Sequence, residues 1–212
     1  TKNYTRDIAY ATMECCSYRY NPYDKAKFEV NAHNWIDMSD EDYGVSLLND
    51  CKYGHEVNEH KMILTLLKAP IKPDPKSDRG DHYFTYSLYP HAETWKKAKT
   101  LERGLEINHP LVPVDVKSEG EMGADKSFIT LTSDSMTLEA VKKCEEEDAY
   151  IIRMVEKKGR SVDASVKFFA PLTYAAECDL IERNDVPVPF DGDTISFHAT
   201  PFEIKNYKVK IK

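Results

Sequence analysis

Residues 35–54 constrain this chain more than any other stretch. They read Trp35-Ile36-Asp37-Met38-Ser39-Asp40-Glu41-Asp42-Tyr43-Gly44-Val45-Ser46-Leu47-Leu48-Asn49-Asp50-Cys51-Lys52-Tyr53-Gly54. Trp35 closes an alternating run, an acidic serine-containing turn follows, and residues 43–48 are mostly apolar. Asn49 and Asp50 then stop the run before a second Tyr-Gly pair. Strand, acidic turn, buried strand and polar turn make a hairpin-like unit. The apolar run is expected to be an inner strand, buried on both faces.

The rest of the chain extends this β pattern. Phe28, Val30 and Ala32 alternate with Glu29, Asn31 and His33, which predicts a half-buried strand. Residues 62–67 are apolar on both faces, as in the middle of a sandwich. Pro70, Pro73 and Pro75 force an exposed loop, and residues 83–89 read as a strand ended by Pro90. One helix is expected, over residues 93–107, because Trp95, Ala98, Leu101 and Leu105 form one apolar stripe. Residues 1–24 look irregular. Residues 117–126, crowded with Lys, Ser, Glu, Gly and Asp, are the best boundary candidate. Beyond them short strands are expected at about 128–132, 136–143, 149–156, 162–170, 174–182, 193–199 and 202–211, the spacing of a small β-sandwich. Lysines in 205–212 alternate with Tyr207, Val209 and Ile211 and predict a solvated strand face.

Composition narrows the function classes. With 212 residues and 41% hydrophobic content, one large or two small domains with a sizeable core are expected. The net charge of −7 argues against a nucleic-acid partner. No apolar run reaches about 18 residues, so no membrane partner is expected. Cys15, Cys16, Cys51, Cys144 and Cys178 are odd in number and lack C-x-x-C spacing, which favours free thiols and a cytoplasmic location. The first residue is Thr1, which suggests an excised piece of a longer protein.

The ordered text of residues 35–54 resembles the class II α-mannosidases of glycoside hydrolase family 38, most closely their cytosolic type. In those the pattern reads W-x-D-L-S-x-x-x-Y-G-V-x-L-L-N-D-C-K-Y-G, and Met38 stands here where Leu is usual. The family's F-T-Y-S-L-Y-P-H occurs intact at Phe84-Thr85-Tyr86-Ser87-Leu88-Tyr89-Pro90-His91. A T-x-x-N-x-x-W-D-x-A-R-F-E-V pattern is matched in part by residues 20–30, with Tyr23 for Trp and Lys27 for Arg. A flexible Lys27 cannot reproduce a bidentate Arg contact. The resemblance covers residues 20 to 212 and is strongest between 28 and 110. It implies a mainly β chain: residues 1–122 as the later part of a mutarotase-like large β-sandwich with one α-helix, and residues 123–212 as a small C-terminal β-sandwich.

The same resemblance implies hydrolysis of terminal α-mannosidic bonds in oligosaccharides by a retaining glycosidase. Such enzymes need two carboxylates about 5 Å apart, and this family adds a zinc or other divalent metal ion. The resemblance places both in an N-terminal barrel, and no segment here matches its motifs. No catalytic residue is therefore assigned, the chain alone is expected to be inactive, and no cofactor or metal site is expected in it. The acidic residues Asp37, Asp40, Glu41 and Asp42 lack EF-hand spacing and read as a solvated turn in which Ser39 or Asp40 bonds backbone amides. The histidines lack partners at zinc spacing and read as solvated or core-bonded.

Asn49, Asp50, Lys52 and Tyr53 are the site candidates. Amide, carboxylate, ammonium and phenol read sugar hydroxyls, and a tyrosine ring can stack on a pyranose. The competing reading is a turn in which Asn49 and Asp50 cap backbone groups and Gly54 supplies a positive φ. Expected partners are the catalytic barrel and a mannose-containing oligosaccharide. A homo-oligomer, a stand-alone carbohydrate-binding module and a purely structural or oligomerisation domain stay open. Trp35 and Trp95 are expected to be core anchors.

Overall fold

A computed structural model describes residues 2–116, 120 and 125–212. The chain falls into two compact units, Thr1–Val114 and Asp115–Lys212. Most of the boundary candidate, residues 117–126, lies outside the described residues.

The first unit contains β1 (Asn3–Ile8), β2 (Ala11–Cys16), α1 (Pro22–Ala26), β3 (Val30–Asn31), β4 (Trp35–Ser39), β5 (Tyr43–Asn49), β6 (Gly54–Asn58), β7 (Lys61–Leu64), β8 (Tyr86–Ala92) and α2 (Thr100–Asn108). Five strands form one antiparallel sheet in the order β2-β1-β4-β5-β8, and β3-β6-β7 form a second. The second sheet covers one face of the first. Val57 meets Tyr4, Ala32, Ile36 and Leu47 in a core to which Val30, Met62 and Leu64 also pack. The other face carries α2. There Trp35, Leu48 and Trp95 form a second core, with the two indole centroids 5.0 Å apart. Both tryptophans are thus core anchors, and β5 is an inner strand, as expected.

Several local readings differ. Residues 3–16 form a hairpin rather than an irregular segment. Its pattern was hidden because the buried positions of β1 include polar Thr5 and Asp7. Asp7 earns its burial by accepting the Asn34 amide at Oδ2, while its carbonyl accepts the His33 amide. A second short helix, α1, is capped by the Asn21 side chain, which accepts from the Asp24 amide. The strand expected at 28–33 shrinks to two residues, with Phe28 exposed. Residues 62–67 are not a sandwich centre. β7 is an edge strand, and Ile63 and Leu67 are exposed. β8 runs through Pro90, which an outer strand tolerates because one side of its backbone needs no partner.

The helix is shorter than its stripe suggests. Lys99 is left-handed at φ 59°, so α2 begins at Thr100 and residues 94–99 form turns. Trp95 is held back by its own amide, which donates to Ser39 Oγ at 3.2 Å. Gly104 rests against Trp35. A β-carbon there would sit 2.7 Å from the indole Cδ1, so only glycine allows the helix this close.

The second unit contains β9 (Ile129–Leu131), β10 (Met136–Lys143), β11 (Tyr150–Glu156), β12 (Val162–Phe168), β13 (Leu172–Glu177), β14 (Val186–Pro187), β15 (Thr194–Ala199) and β16 (Ile204–Ile211). One antiparallel sheet has the order β10-β11-β16-β13-β14, the other β15-β12-β9. Met136, Ile152, Met154, Tyr207 and Val209 from the first meet Val166, Phe168, Ile195 and Ala199 from the second in one core. This is a β-sandwich, with strands close to the expected spans. The 205–212 face departs from expectation. β16 is central, and Lys208 is buried, with its Nζ 2.9 Å from Glu147 and 3.0 Å from Asp185. A lysine on an inner strand must be paired because an isolated buried ammonium is costly. These carboxylates hold its pKa above the ordinary lysine value although burial opposes them.

Candidate functional site

The candidate residues leave β5 together, and the chain turns back at Gly54 into β6. Asn49 is buried and its side chain is fully used. Its Nδ2 donates to the His33 carbonyl at 3.0 Å, and its Oδ1 accepts the Lys52 amide at 2.7 Å. Its carbonyl accepts from Asn108 Nδ2 at 3.0 Å, which ties the turn to the end of α2. Asp50 pins a distant loop. Its amide donates to the Thr85 carbonyl at 3.1 Å, and its Oδ2 accepts the Thr85 amide at 2.9 Å. The adjacent Cys51 thiol and the Thr85 amide lower the Asp50 pKa, and the same carboxylate raises that of Cys51. Asn49 and Asp50 therefore build the turn.

Lys52 and Tyr53 point outward. Lys52 Nζ lies 4.9 Å from the centroid of Phe84, and Phe84 stacks on Tyr86 at 6.5 Å. Tyr53 is exposed and meets the His33 ring edge-on at 5.8 Å. The result is two ring pairs, one of them with an ammonium over Phe84, groups suited to stacking and hydrogen bonding. Phe84, Tyr86 and His33 were not among the sequence candidates. The only signal for Phe84 and Tyr86 was the intact Phe84–His91 text, since nothing local links residue 84 to residue 52, and His33 carried none.

Beside this surface lies an open groove of about 490 Å³, lined by Lys52, Gly54, Thr65, Lys68, Asp78 and His82. Glu29 bonds two of its lining residues. It accepts from Thr65 Oγ1 at 2.5 Å and from the Lys68 ammonium, and these two partners lower its pKa. Gly54 is not at positive φ, contrary to the turn reading. A β-carbon there would lie 2.7 Å from Glu29 Oε1, so a larger residue would push the Glu29 carboxylate aside.

The acidic stretch divides in two. Asp40 behaves as expected: its Oδ1 accepts the amides of Asp42 and Tyr43, both at 3.1 Å. Asp37 does not belong to a solvated turn. It is buried and gathers three donors: Ser39 Oγ at 2.5 Å, Ser46 Oγ at 2.6 Å and His91 Nε2 at 2.8 Å. The other nitrogen of His91 faces the Glu93 carbonyl at 3.1 Å, and Thr100 Oγ1 lies 2.8 Å from Ser46. The hydroxyls bond Asp37 rather than His91 and the cluster is sealed, so it is an internal brace and not a nucleophile site. A Ser-His-Asp contact chain does occur on the second unit. His198 accepts or donates at Ser161 Oγ, 3.0 Å away, and meets Asp163 Oδ1 at 2.8 Å. Asp163 is 92% exposed, and a carboxylate in open water does not hold an imidazole as an excluded one does.

Among the described residues no group of three or more His, Cys, Asp or Glu is arranged to hold a metal ion. The zinc implied by the resemblance therefore has no fitting donor set among them. No helix among them is long and apolar enough to cross a membrane.

Two antiparallel units, the first with a helix on one sheet and the second a sandwich, define a mainly β region built of sandwich-type sheets. Residues 1–76 match the family described as glycosyl hydrolases family 38 C-terminal domain, and residues 135–207 match its C-terminal beta sandwich domain. Alpha-mannosidase 2C1 of Mus musculus is 30% identical over 207 residues, covering 95% of this chain and 20% of the mouse protein. Alpha-mannosidase G of Dictyostelium discoideum is 31% identical over 216 residues, covering 98% and 20%. The crystal structure of an alpha-mannosidase from Enterococcus faecalis V583 superposes with a TM-score of 0.79 at 16% identity, over 99% of this chain and 24% of that one. The chain belongs to the C-terminal region of glycoside hydrolase family 38. It spans about a fifth of the length of the curated relatives it matches.

Proposed function

We propose that this chain is the non-catalytic C-terminal part of a retaining α-mannosidase that removes terminal α-mannose from oligosaccharides in the cytoplasm. The carboxylate pair and the divalent metal belong to a catalytic domain outside the matched span. The loop end built by Asn49 and Asp50 is the surface this part turns towards that domain and its sugar. The observation that carries the reading is the family match at both ends of a chain whose described residues offer no metal-ligand cluster. The exposed Tyr53 ring, the Phe84–Tyr86 stack and Lys52 beside an open polar groove support a sugar-facing or domain-facing role over a merely structural one.

The test is an assay of the purified chain with an aryl α-mannoside and zinc or cobalt, beside the full-length polypeptide that carries it. Turnover is expected only from the longer polypeptide. Metal-dependent turnover by the 212-residue chain, abolished by a chelator, refutes the assignment of chemistry elsewhere. Absence of mannosidase activity in both refutes the reading as a whole.

A further inference from the structure

The chain between β2 and β3 turns its aromatic side chains outward. Tyr20 is 69% exposed, Tyr23 81% and Phe28 63%, and α1, which carries Tyr23, has no buried residue. The segment is nevertheless held in place. Tyr20 stacks on Tyr18, with ring centroids 5.8 Å apart and planes 14° from parallel. The His60 ring meets Tyr18 at a right angle, 6.2 Å away. Arg19, between the two tyrosines, donates from Nη2 to the Phe28 carbonyl at 3.1 Å and to Glu56 Oε1 at 2.9 Å. Both ends of the segment are therefore tied to each other and to β6, and the Asn21 cap fixes α1 between them. One face of the Tyr20 ring lies on Tyr18, and the other is open to solvent.

A backed ring offers flat contact area at little ordering cost, and exposed aromatic patches mark interaction surfaces. We infer that Tyr20, backed by Tyr18, and Tyr23 form a binding surface for a neutral sugar, a pyranose unit of a mannose-containing oligosaccharide. A tyrosine ring stacks on the C–H face of a pyranose, and its phenol donates to or accepts from a sugar hydroxyl. Three features select this ligand. Two or three rings match one or two sugar units but fall well short of the roughly 800 Å² per partner of a stable protein association. Arg19 is paired with Glu56 and Asp24 adjoins Lys25, so the surface carries no strong charge of one sign to select an ion. The chain also belongs to a family of glycosyl hydrolases. This surface is separate from the Lys52–Tyr53 turn. Tyr53 precedes β6 and His60 follows it, so a strand of five residues lies between them, roughly 17 Å at about 3.4 Å per residue. Naming mannose rests on the proposed function, whereas the sugar surface itself does not.

Hydroxyl-radical footprinting of the full-length polypeptide, read by mass spectrometry, tests it. The probe is a sulfur-linked α-mannobiose, which resists hydrolysis. Tyr20 and Tyr23 should be oxidised readily without the sugar and protected by it. In saturation-transfer NMR on the 212-residue chain, Tyr20→Ala should weaken binding of the same probe at least about fivefold, the loss expected of one stacked ring. Tyr20→Phe keeps the ring and should bind more tightly than Tyr20→Ala. Both variants should keep the wild-type tryptophan-fluorescence midpoint, because this side chain enters no core. Tyrosines already protected without sugar assign the surface to a contact with the rest of the polypeptide and overturn the inference. So does binding that survives Tyr20→Ala, or a probe that protects neither tyrosine. A dimer of the 212-residue chain, seen by light scattering and dissociated by Tyr20→Ala, overturns it in favour of a second copy. Mannosidase activity is measured on the same full-length sample. Active polypeptide with unprotected tyrosines refutes this inference alone, and inactive polypeptide with sugar-protected tyrosines refutes only the proposed function.

Discussion

Removing the Asp37 carboxylate should destabilise the first unit selectively. Asp37→Ala leaves His91 Nε2, Ser39 Oγ and Ser46 Oγ without their acceptor in a sealed interior. Each buried donor left unpaired costs about 1–3 kcal/mol. The two hydroxyls can rotate, Ser46 towards Thr100 Oγ1 at 2.8 Å, so their share is reduced. His91 is fixed at its other nitrogen by the Glu93 carbonyl and cannot turn away. The sum is about 3–5 kcal/mol, the range found on breaking a buried polar pair, against a total stability of about 5–15 kcal/mol for a domain. With a urea m-value of about 2 kcal/mol/M, the midpoint should fall by about 2 M. The assay is unusually selective, because the chain has two tryptophans and both lie in the Trp35–Trp95 core of the first unit. Tryptophan fluorescence therefore follows that unit alone. A loss under about 1 kcal/mol would show that the cluster is no brace.

Three other outcomes are expected. Gly44→Ala should cost about 1–3 kcal/mol by the same fluorescence assay, since its β-carbon would lie 2.4 Å from both His91 Cε1 and Ser39 Cβ; a wild-type midpoint contradicts the close approach. Burial raises the pKa of Glu203, but Lys205 and the Thr200 amide and hydroxyl outweigh it and hold the carboxyl down to about 2. A depressed folded pKa stabilises above the unfolded value of about 4.3 and the gain is lost as pH falls from there towards 2. Glu203→Gln should flatten acid destabilisation in that window, followed by circular dichroism. Cys16 and Cys51 should alkylate first in native protein, with Cys51 slowed by Asp50, while buried Cys144 and Cys178 label only on unfolding. All five should label without reductant, and a disulfide found by mass spectrometry contradicts the thiol assignment.

What could be read directly was whatever depends on near neighbours in the chain. The inner position of β5 follows from seven residues, and the strands of the second unit from their own period and turns. What stayed hidden depends on partners far apart. Asp37 looks like part of an acidic turn until His91, 54 positions away, is placed against it. Asp50 looks like a sugar-reading carboxylate until Thr85 is found bonded to both its amide and its carboxylate. Lys208 looks solvated until the sheet order makes β16 central. The overlong helix is a case of competition: an apolar stripe favours α2 as far as Trp95, and the Ser39 bond to the Trp95 amide favours the sheet. At the turn itself, residue type grouped Asn49, Asp50, Lys52 and Tyr53, while separating its builders from its exposed pair required coordinates.

The most direct test compares activity with stability at that turn in the full-length polypeptide. Tyr53 is exposed and its ring touches His33, so Tyr53→Ala should leave the fluorescence-detected midpoint within about 0.5 kcal/mol of wild type. The account predicts a fall in kcat/KM on an α-mannoside of at least about 10-fold, or about 1.4 kcal/mol of transition-state stabilisation. Asp50→Ala serves as the contrast and should lower stability and activity together, because it releases Thr85. Unchanged kcat/KM in Tyr53→Ala, with the polypeptide active and folded, would contradict the claim that this loop end serves the reaction.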